Sequence, residues 1–432
     1  MSDGRRLLMI TFLVLVWITS VVRAEHISTP NILLILADDV GSEVLECYGG
    51  ESYSTPQIDK LAEQGMRFVH AYVMPVCHPT RICLFSGQYP FRMGSPDWGS
   101  YPPSAEANTI AQVLKRAGYA TAVAGKWQIA LLGEDLLHPN RLGFDEYCLF
   151  GWHEGPRYYE PWIWQNGVKR EDVREKYGPD VYCDFLIDFI QRERDQPFFA
   201  YYTMALCHAV TNDLDKPVPV GPNGRYQTFA EMVSAMDDRV GRIVNAVDEA
   251  GLRDSTLVIF LTDNGSPAKN IDGVDNHGEL IYQPIASIRN GRVIPGGKGQ
   301  LTDAGTRVPL IVRWPNRVPA DSTCDDLVDV SDLLPTLAEL ADSPLPEQVT
   351  LDGRSFAQRI LGEGAGKREW VFAEHKGNAF VKDRQWKLYS DGRLYNVEDD
   401  PFEHNSLSTS KPPPKHLQKA LKQLHAAGLA HP

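Results

Sequence analysis

Residues 31–39 read NILLILADD, an apolar run from Ile32 to Ala37 without alternation, closed by two acids. A strand with one face in water alternates apolar and polar positions. An unbroken run therefore marks a strand covered on both faces, as in a parallel sheet. STPQIDKLAEQG follows. Thr55 is placed to cap a helix, Pro56 suits its first position, Ile58, Leu61 and Ala62 share a face, and Gly65 ends it. In NTIAQVLKRAGYATAVAGKW, Ile110, Val113, Leu114 and Ala117 make a helix face stopped by Gly118, and 119–124 is a strand. QPFFAYYTMALCH supplies a strand over 198–204. Further on, Thr228 and Glu231 form a capping box, and Met232, Met236, Val240, Ile243 and Val247 line one helical face stopped by Gly251. Residues 257–261 are then a buried strand leading to Asp263 and Asn264, and RVPLIVRWP is another short strand.

Helices alternating with buried strands predict an α/β fold with a large, mainly parallel sheet flanked by helices. The pattern changes after a Pro- and Gly-rich stretch between about Asp342 and Arg368. WVFAEH, AFVKD, WKLYS and GRLYNV are short strands, and KPPPKHLQKALKQLHAAGLA is one amphipathic helix. Residues 25–365 are thus expected to form the main domain, and 366–432 a small antiparallel sheet plus helix. Residues 1–24 stand apart. Arg5 and Arg6 precede an apolar run from Leu7 to Val22, with Val22 and Ala24 at cleavage spacing. That is the pattern of a secretory signal, so the protein is expected to be exported: periplasmic or extracellular, or in the secretory lumen of a eukaryote. No later segment is apolar enough to span a bilayer.

A formal net charge of −13 argues against nucleic acid or an anionic membrane as partner. An anionic substrate would need positive charge supplied locally. The 7 cysteines are odd in number and irregularly spaced, with no CxxC pair, which excludes a small disulfide framework and a zinc pair. At least one thiol is left over.

In open α/β sheets the site lies beyond the carboxyl ends of the strands. Collected there are Asp38 and Asp39, Lys126, His208, and Asp263 with Asn264. Alone, each is an ordinary cap, solvated loop residue or surface lysine; together at strand ends they point to chemistry. Three carboxylates and an amide are hard oxygen donors suited to Ca2+ or Mg2+ and not to zinc. Asn264 also opens an NGS glycosylation pattern, which a metal ligand could not share. Lys298 lies in PGGKGQ, where glycines permit close approach to a ligand. Arg81 offers a fork for a tetrahedral oxyanion, and His208 could bind an anion or protonate a leaving group. Trp152, Tyr158, Tyr159, Trp162 and Trp164 could stack on a sugar or aryl ring, or simply pack the domain.

The stretch VMPVCHPTRICLFSGQYPFRMG places Cys77 in a CxPxR element before an apolar, helix-like run. With NILLILADDVG, TPQIDKLAEQGMRFVHAYVMPVCHPTR, AGKW, LTDNG, GGKGQLTDAGTRVPLIVRWP and LYNVEDDPFEHNSL in this order, the chain resembles a type I sulfatase of the alkaline phosphatase superfamily. The resemblance covers nearly all of the chain beyond residue 24. It implies that a formylglycine-generating enzyme oxidises Cys77 to formylglycine, whose hydrate attacks sulfur with help from a divalent cation. The alcohol leaves, and the second hydroxyl of the hydrate then lets sulfate go. It further implies that Asp38, Asp39, Asp263 and Asn264, with residue 77, hold Ca2+ or Mg2+. Arg81 steadies that site, Lys126 and Lys298 clamp sulfate, and His208 stands near the leaving-group oxygen.

Two positions depart from the family pattern. Thr80 replaces the commoner serine of CxPSR and keeps a hydroxyl. Gln128 replaces the histidine of GKWH, which contacts the hydrate and is the usual base for sulfate release; glutamine can bind substrate but cannot take a proton. His138, His153 and His277 are candidates to substitute. Sulfated carbohydrates and small aryl or alkyl sulfates are the expected substrates. The rivals are a phosphate or phosphonate monoester hydrolase on the same fold, a non-catalytic binder of sulfated glycan, and a calcium-stabilised exported protein with Cys77 in a disulfide.

Overall fold

The computed structural model describes residues 29–209, 218–275, 280–407 and 410–430. The expected signal segment and His277 lie outside the described residues. In chain order the strands are β1 (Asn31–Ala37), β2 (Met66–Tyr72), β3 (Ala120–Trp127), β4 (Glu146–Gly151), β5 (Trp164–Gln165), β6 (Val168–Lys169), β7 (Phe198–Thr203) and β8 (Thr256–Thr262). Two hairpins follow, β9 (Lys269–Val274) with β10 (Leu280–Pro284) and β11 (Ala286–Arg289) with β12 (Arg292–Pro295). β13 (Arg307–Arg313) and β14 (Ser322–Asp329) return to the main sheet, and β15 (Val371–His375), β16 (Asn378–Lys382), β17 (Trp386–Tyr389) and β18 (Leu394–Asn396) form the tail sheet.

The main sheet has the order β14-β2-β13-β8-β1-β7-β3-β4-β5-β6. Its centre is parallel: β1 pairs with β7 and β8, and β3 with β7 and β4. β13 runs antiparallel to both β8 and β2, so the sheet is mixed but mainly parallel. Every residue of β1 is buried, because its two faces feed two cores. Ile32, Leu34 and Leu36 join a cluster with Phe85, Leu114, Leu334 and Phe380, whereas Leu33, Ile35 and Ala37 join one with Leu61, Leu186 and Met236. The alternation of side chains along a strand divides the layers in this way.

Local signals were realised unevenly. The helix Phe229–Glu249 starts with the Thr228/Glu231 capping box. The helix Pro56–Glu63 does begin at Pro56, but the Thr55 hydroxyl does not cap it. Instead Asp237, from the neighbouring helix, accepts from the Gln57 N–H at 3.0 Å and the Ile58 N–H at 2.9 Å. Beyond residue 365 lie the four antiparallel strands β15–β18 and the helix Lys415–Ala426. Phe372, Phe380 and Leu417 share the core of the first face. Buried Lys387 pairs with Glu403 at 2.6 Å and donates to the Leu301 carbonyl at 2.5 Å, which ties the tail to the loop that follows Lys298.

Candidate active site

β1 and β8 run side by side, with Ala37 opposite Thr262, so Asp38–Asp39 and Asp263–Asn264 leave the sheet at one edge. The Asp263 N–H donates to the Ala37 carbonyl at 3.1 Å, and the Asp39 N–H to Asp263 Oδ1 at 3.2 Å. On the other side the Asp38 N–H donates to the Leu206 carbonyl at 2.8 Å, which binds the loop carrying His208 to the same strand end. Asp39 has φ of 61°, in the left-handed region that aspartate tolerates better than most residues. Extended residues send successive side chains to opposite faces; this turn interrupts that alternation, and the Asp38 and Asp39 carboxylates reach one pocket with His208.

Cys77 is the first residue of the helix Cys77–Ser86. Its sulfur and one oxygen each of Asp38 and Asp263 lie within 4.8 Å of one another. Arg81 is one helical turn further on the same face. Its guanidinium, 3% exposed, reaches Asp38 at 3.2 Å and Asp263 at 2.8 Å, and its other terminal nitrogen donates to the Thr203 hydroxyl. Thr203 donates in turn to the Lys126 carbonyl at 3.1 Å. Sequence reasoning passed over Thr203, which carries no motif of its own. The Thr80 hydroxyl donates to the Met74 and Val76 carbonyls and so fastens the start of the Cys77 helix.

Lys126 is not beyond its strand but within it. β3 extends to Trp127 because its ladder with β4 continues to Gly151, and the lysine side chain is buried with its ammonium on Asp38. Gly125, at φ 116°, permits this: a Cβ there would stand 1.8 Å from the Thr203 carbonyl oxygen. Lys298 sits in a loop bound on two sides, its N–H to the Ser266 carbonyl at 3.0 Å and the Gly299 N–H to Pro75 at 2.8 Å. One strap reaches the Asp263 segment and the other the approach to Cys77. The Lys298 ammonium meets the two Asp39 oxygens at 2.6 and 2.8 Å.

His208 turns Nε2 toward Asp39 at 3.9 Å. Its Nδ1 is 2.8 Å from the Ala209 carbonyl and 3.3 Å from an Arg157 nitrogen. One tautomer donates Nδ1–H to Ala209 and leaves the Nε2 lone pair facing the pocket; the other accepts from Arg157 and presents Nε2–H. Burial, then the charges of Lys298 and Lys126, hold this imidazole well below its usual pKa, so it is neutral.

Gln128, 2% exposed, follows Lys126 by two residues and has no protein partner for Oε1. Of the histidines proposed to replace it, the two among the described residues have other partners. Buried His138 accepts from the Trp127 indole at 3.1 Å, which occupies Nδ1 in the core. His153 packs on Trp152, with ring centroids 3.5 Å apart. Asn264 is fully buried, so its NGS pattern offers no surface for a glycan. None of the seven cysteines is in a disulfide, and Cys77 is buried.

The aromatic segment divides. Tyr158 is buried and donates to the Ala205 and His208 carbonyls, so it shapes the His208 loop. Tyr159 packs on Tyr177, Trp164 donates to Glu154, and Trp162 carries the Lys169 ammonium. Trp152 differs: with Trp98, 47% exposed, it forms an open aromatic wall that reaches His78, the residue after Cys77. Trp98 had no sequence signal beyond being a lone tryptophan in a polar loop.

Burial raises all three carboxylates, and their neighbours decide the outcome. At Asp38 the charges of Lys126, Arg81 and Lys298 outweigh burial and hold the group well below the usual range. At Asp39 burial prevails, and at Asp263 burial reinforced by Asp38 pushes the pKa up to about 6. Three carboxylates face Arg81, Lys126 and Lys298, while Asp38 Oδ1 and Asn264 Oδ1 are buried with no protein partner. Orphaned oxygens in an all-oxygen donor set fit a hard divalent cation.

A sheet covered on both faces, with acids and cations converging at its carboxyl edge, places the molecule among the alkaline phosphatase-like hydrolases. Within that class the chain belongs to the sulfatase family, whose model matches residues 30–343. The model for the C-terminal part of N-sulphoglucosamine sulphohydrolase matches residues 297–427. An N-acetylgalactosamine-6-O-sulfatase of Bacteroides thetaiotaomicron is 29% identical, over 90% of this chain and 91% of that protein. Human arylsulfatase A is 31% identical, over 89% of this chain and 80% of that protein. The crystal structure of Ps i-CgsB in complex with k-i-k-neocarrahexaose superposes with a TM-score of 0.73 at 26% identity, covering 94% of this chain and 95% of that one.

Proposed function

We propose that the protein hydrolyses sulfate monoesters, carbohydrate sulfates above all, at a centre built around residue 77. The observation that carries this reading is the placement of Cys77 against Asp38 and Asp263, with Arg81 on the same two carboxylates. Asp38, Asp39, Asp263 and Asn264 would hold a divalent cation, Ca2+ or Mg2+, which supplies Lewis-acid activation when bound. Formylglycine made from Cys77 by a maturation enzyme would supply, as its hydrate, the hydroxyl nucleophile that a thiol lacks.

The remaining work falls to the side chains of this chain. Arg81 fixes the two carboxylates nearest residue 77 and keeps that pocket from being anionic. Lys126 and Lys298, each held on a carboxylate, present ammonium groups to sulfate oxygens without reorganisation. His208 turns Nε2 toward the pocket and, as its Nε2–H tautomer, can donate a hydrogen bond to the ester oxygen as the alcohol leaves. Gln128 can donate a hydrogen bond from its amide but cannot take a proton. The Trp98–Trp152 wall gives a sugar ring a stacking face beside residue 77, in keeping with the sugar substrates named for the relatives. Residues 1–24 support export as the setting for this activity.

The test is release of inorganic sulfate from an aryl sulfate, set against a matched aryl phosphate, before and after chelation. The reading expects sulfate release that is lost in EDTA and restored by Ca2+ or Mg2+, with the phosphate a poorer substrate. Faster phosphate hydrolysis would move the protein to the phosphohydrolases of this fold, and binding of sulfated glycan without turnover would make it a lectin-like relative.

A further inference from the structure

A cavity of about 600 Å³ lies beside the site just described, where the β11–β12 hairpin meets the tail. It opens at the same edge of the sheet: Arg307 begins β13, which runs antiparallel to β8 with Leu310 opposite Leu261, and Gln300 follows Lys298 by two residues. Arg289, Arg292 and Arg307 line the cavity, and Phe402 and His404 close it from the tail. In a chain with net charge −13, three guanidinium groups around one cavity call for an explanation.

Of the three, only Arg307 has an acid within ion-pair distance among the described residues. Glu43 accepts from the Ser266 hydroxyl at 2.6 Å. Asp303 is taken by the Tyr72 hydroxyl at 3.2 Å and faces Arg307 at 3.7 Å and Lys387 at 3.9 Å. Arg307 also donates Nε to the Val69 carbonyl. Arg289 spends its Nε on the Tyr48 carbonyl at 3.0 Å, which leaves its terminal nitrogens over. Among the described residues neither Arg289 nor Arg292 has a carboxylate within ion-pair distance. Burial, with Arg307 as a like charge, pushes the Arg289 guanidinium down, as expected of a cation lacking its counter-ion. Phe402 is 38% exposed and stacks on His404, with centroids 5.8 Å apart. Forked donors plus an exposed ring suit an acidic sugar: guanidinium pairs with a planar or tetrahedral oxyanion, and the ring covers the apolar face of the sugar.

We infer that this cavity is a second anion subsite, which takes a further acidic group, sulfate or carboxylate, on a carbohydrate substrate. The inference rests on the sulfatase reading and deepens it: the substrate is a polyanionic glycan and not an isolated ester.

The experiment compares wild type, Arg289→Ala and Arg292→Ala. Among the described residues the Arg292 side chain makes no hydrogen bond or ion pair, so its replacement should leave the fold intact and keep the test open where Arg289 supports the hairpin. Three substrates are used: 4-nitrophenyl sulfate, a carrageenan tetrasaccharide bearing sulfates only, and a chondroitin sulfate tetrasaccharide bearing sulfate and carboxylate. Binding of the two tetrasaccharides is also measured by calorimetry in a Cys77→Ala background, where turnover is absent. The ratio of kcat/KM for a charged tetrasaccharide to that for 4-nitrophenyl sulfate should fall about tenfold or more in each variant, the loss expected from removing one charge-assisted hydrogen bond. Affinity for the same tetrasaccharide should weaken in parallel. A loss confined to the carrageenan assigns the subsite to sulfate, and one confined to the chondroitin assigns it to carboxylate. Unchanged ratios and affinities overturn the subsite, as does failure of wild type to bind either tetrasaccharide. If wild type binds a tetrasaccharide but hydrolyses none of the three, the sulfatase reading falls, while the calorimetry still decides the subsite.

Discussion

Arg81→Met removes the guanidinium that spans Asp38 and Asp263. Both carboxylates are fully buried, and the Arg81 side chain is 3% exposed, so water cannot replace what is lost. Breaking a buried ion pair by deleting one partner costs about 3–5 kcal/mol. The Thr203 hydroxyl also loses its acceptor role, which places the expectation in the upper half of that range. Without Arg81 the pocket holds three carboxylates against two ammonium groups. A divalent cation binds such a pocket more tightly than the balanced one, and tighter binding to the native state adds stability. Urea unfolding followed by tryptophan fluorescence, in EDTA and in saturating Ca2+, measures both effects. The variant should lose about 4–5 kcal/mol in EDTA and clearly less in Ca2+. A loss below about 1 kcal/mol in EDTA, the range of exposed pairs, would refute the buried network. Equal losses in the two conditions would refute the shared cation site.

Gln128→His restores a group able to take a proton at the end of β3, so sulfate release in single-turnover kinetics should rise or stay level; a large loss would show that the amide itself is required. Lys387→Met strands Glu403, which is 4% exposed, and should destabilise the protein by about 3–5 kcal/mol in urea, with Lys387→Met/Glu403→Gln recovering part of it. Burial, opposed by the Phe91 N–H and reinforced by Asp352, raises Glu374 from 4.5 to about 7. The folded state therefore holds this proton more tightly than the unfolded chain. The resulting stability is complete below pH 4.5 and lost as pH rises through about 7. Urea midpoints should consequently fall for wild type relative to Glu374→Gln across that window; parallel profiles would contradict the shift.

What could be read from the chain and what could not differ in physical kind. β1 and β8 were legible because burial on both faces removes polar positions, and their ends named Asp38, Asp39, Asp263 and Asn264. β2 was not, since Arg67 and His70 interrupt its apolar run at half-buried positions. The direction of β13 was invisible, because an apolar run looks alike in parallel and antiparallel ladders. The cap of Pro56–Glu63 comes from Asp237, 180 residues from Gln57, and no local pattern records such a partner. Lys126 was placed one step too far out, because a charged residue in AGKW resembles a strand end, whereas Asp38 compensates it inside the sheet. Thr203, Trp98 and the arginines of the β11–β12 hairpin gain meaning only from tertiary neighbours.

The account turns on the chemical state of residue 77 in protein from its native host. Mass spectrometry of the peptide spanning Val73–Arg81, made by a protease that spares it, reads that state directly. An aldehyde in place of the thiol, present in molecules that release sulfate and missing from a Cys77→Ala control, is the predicted result. An intact thiol in protein that still cleaves sulfate esters would contradict it.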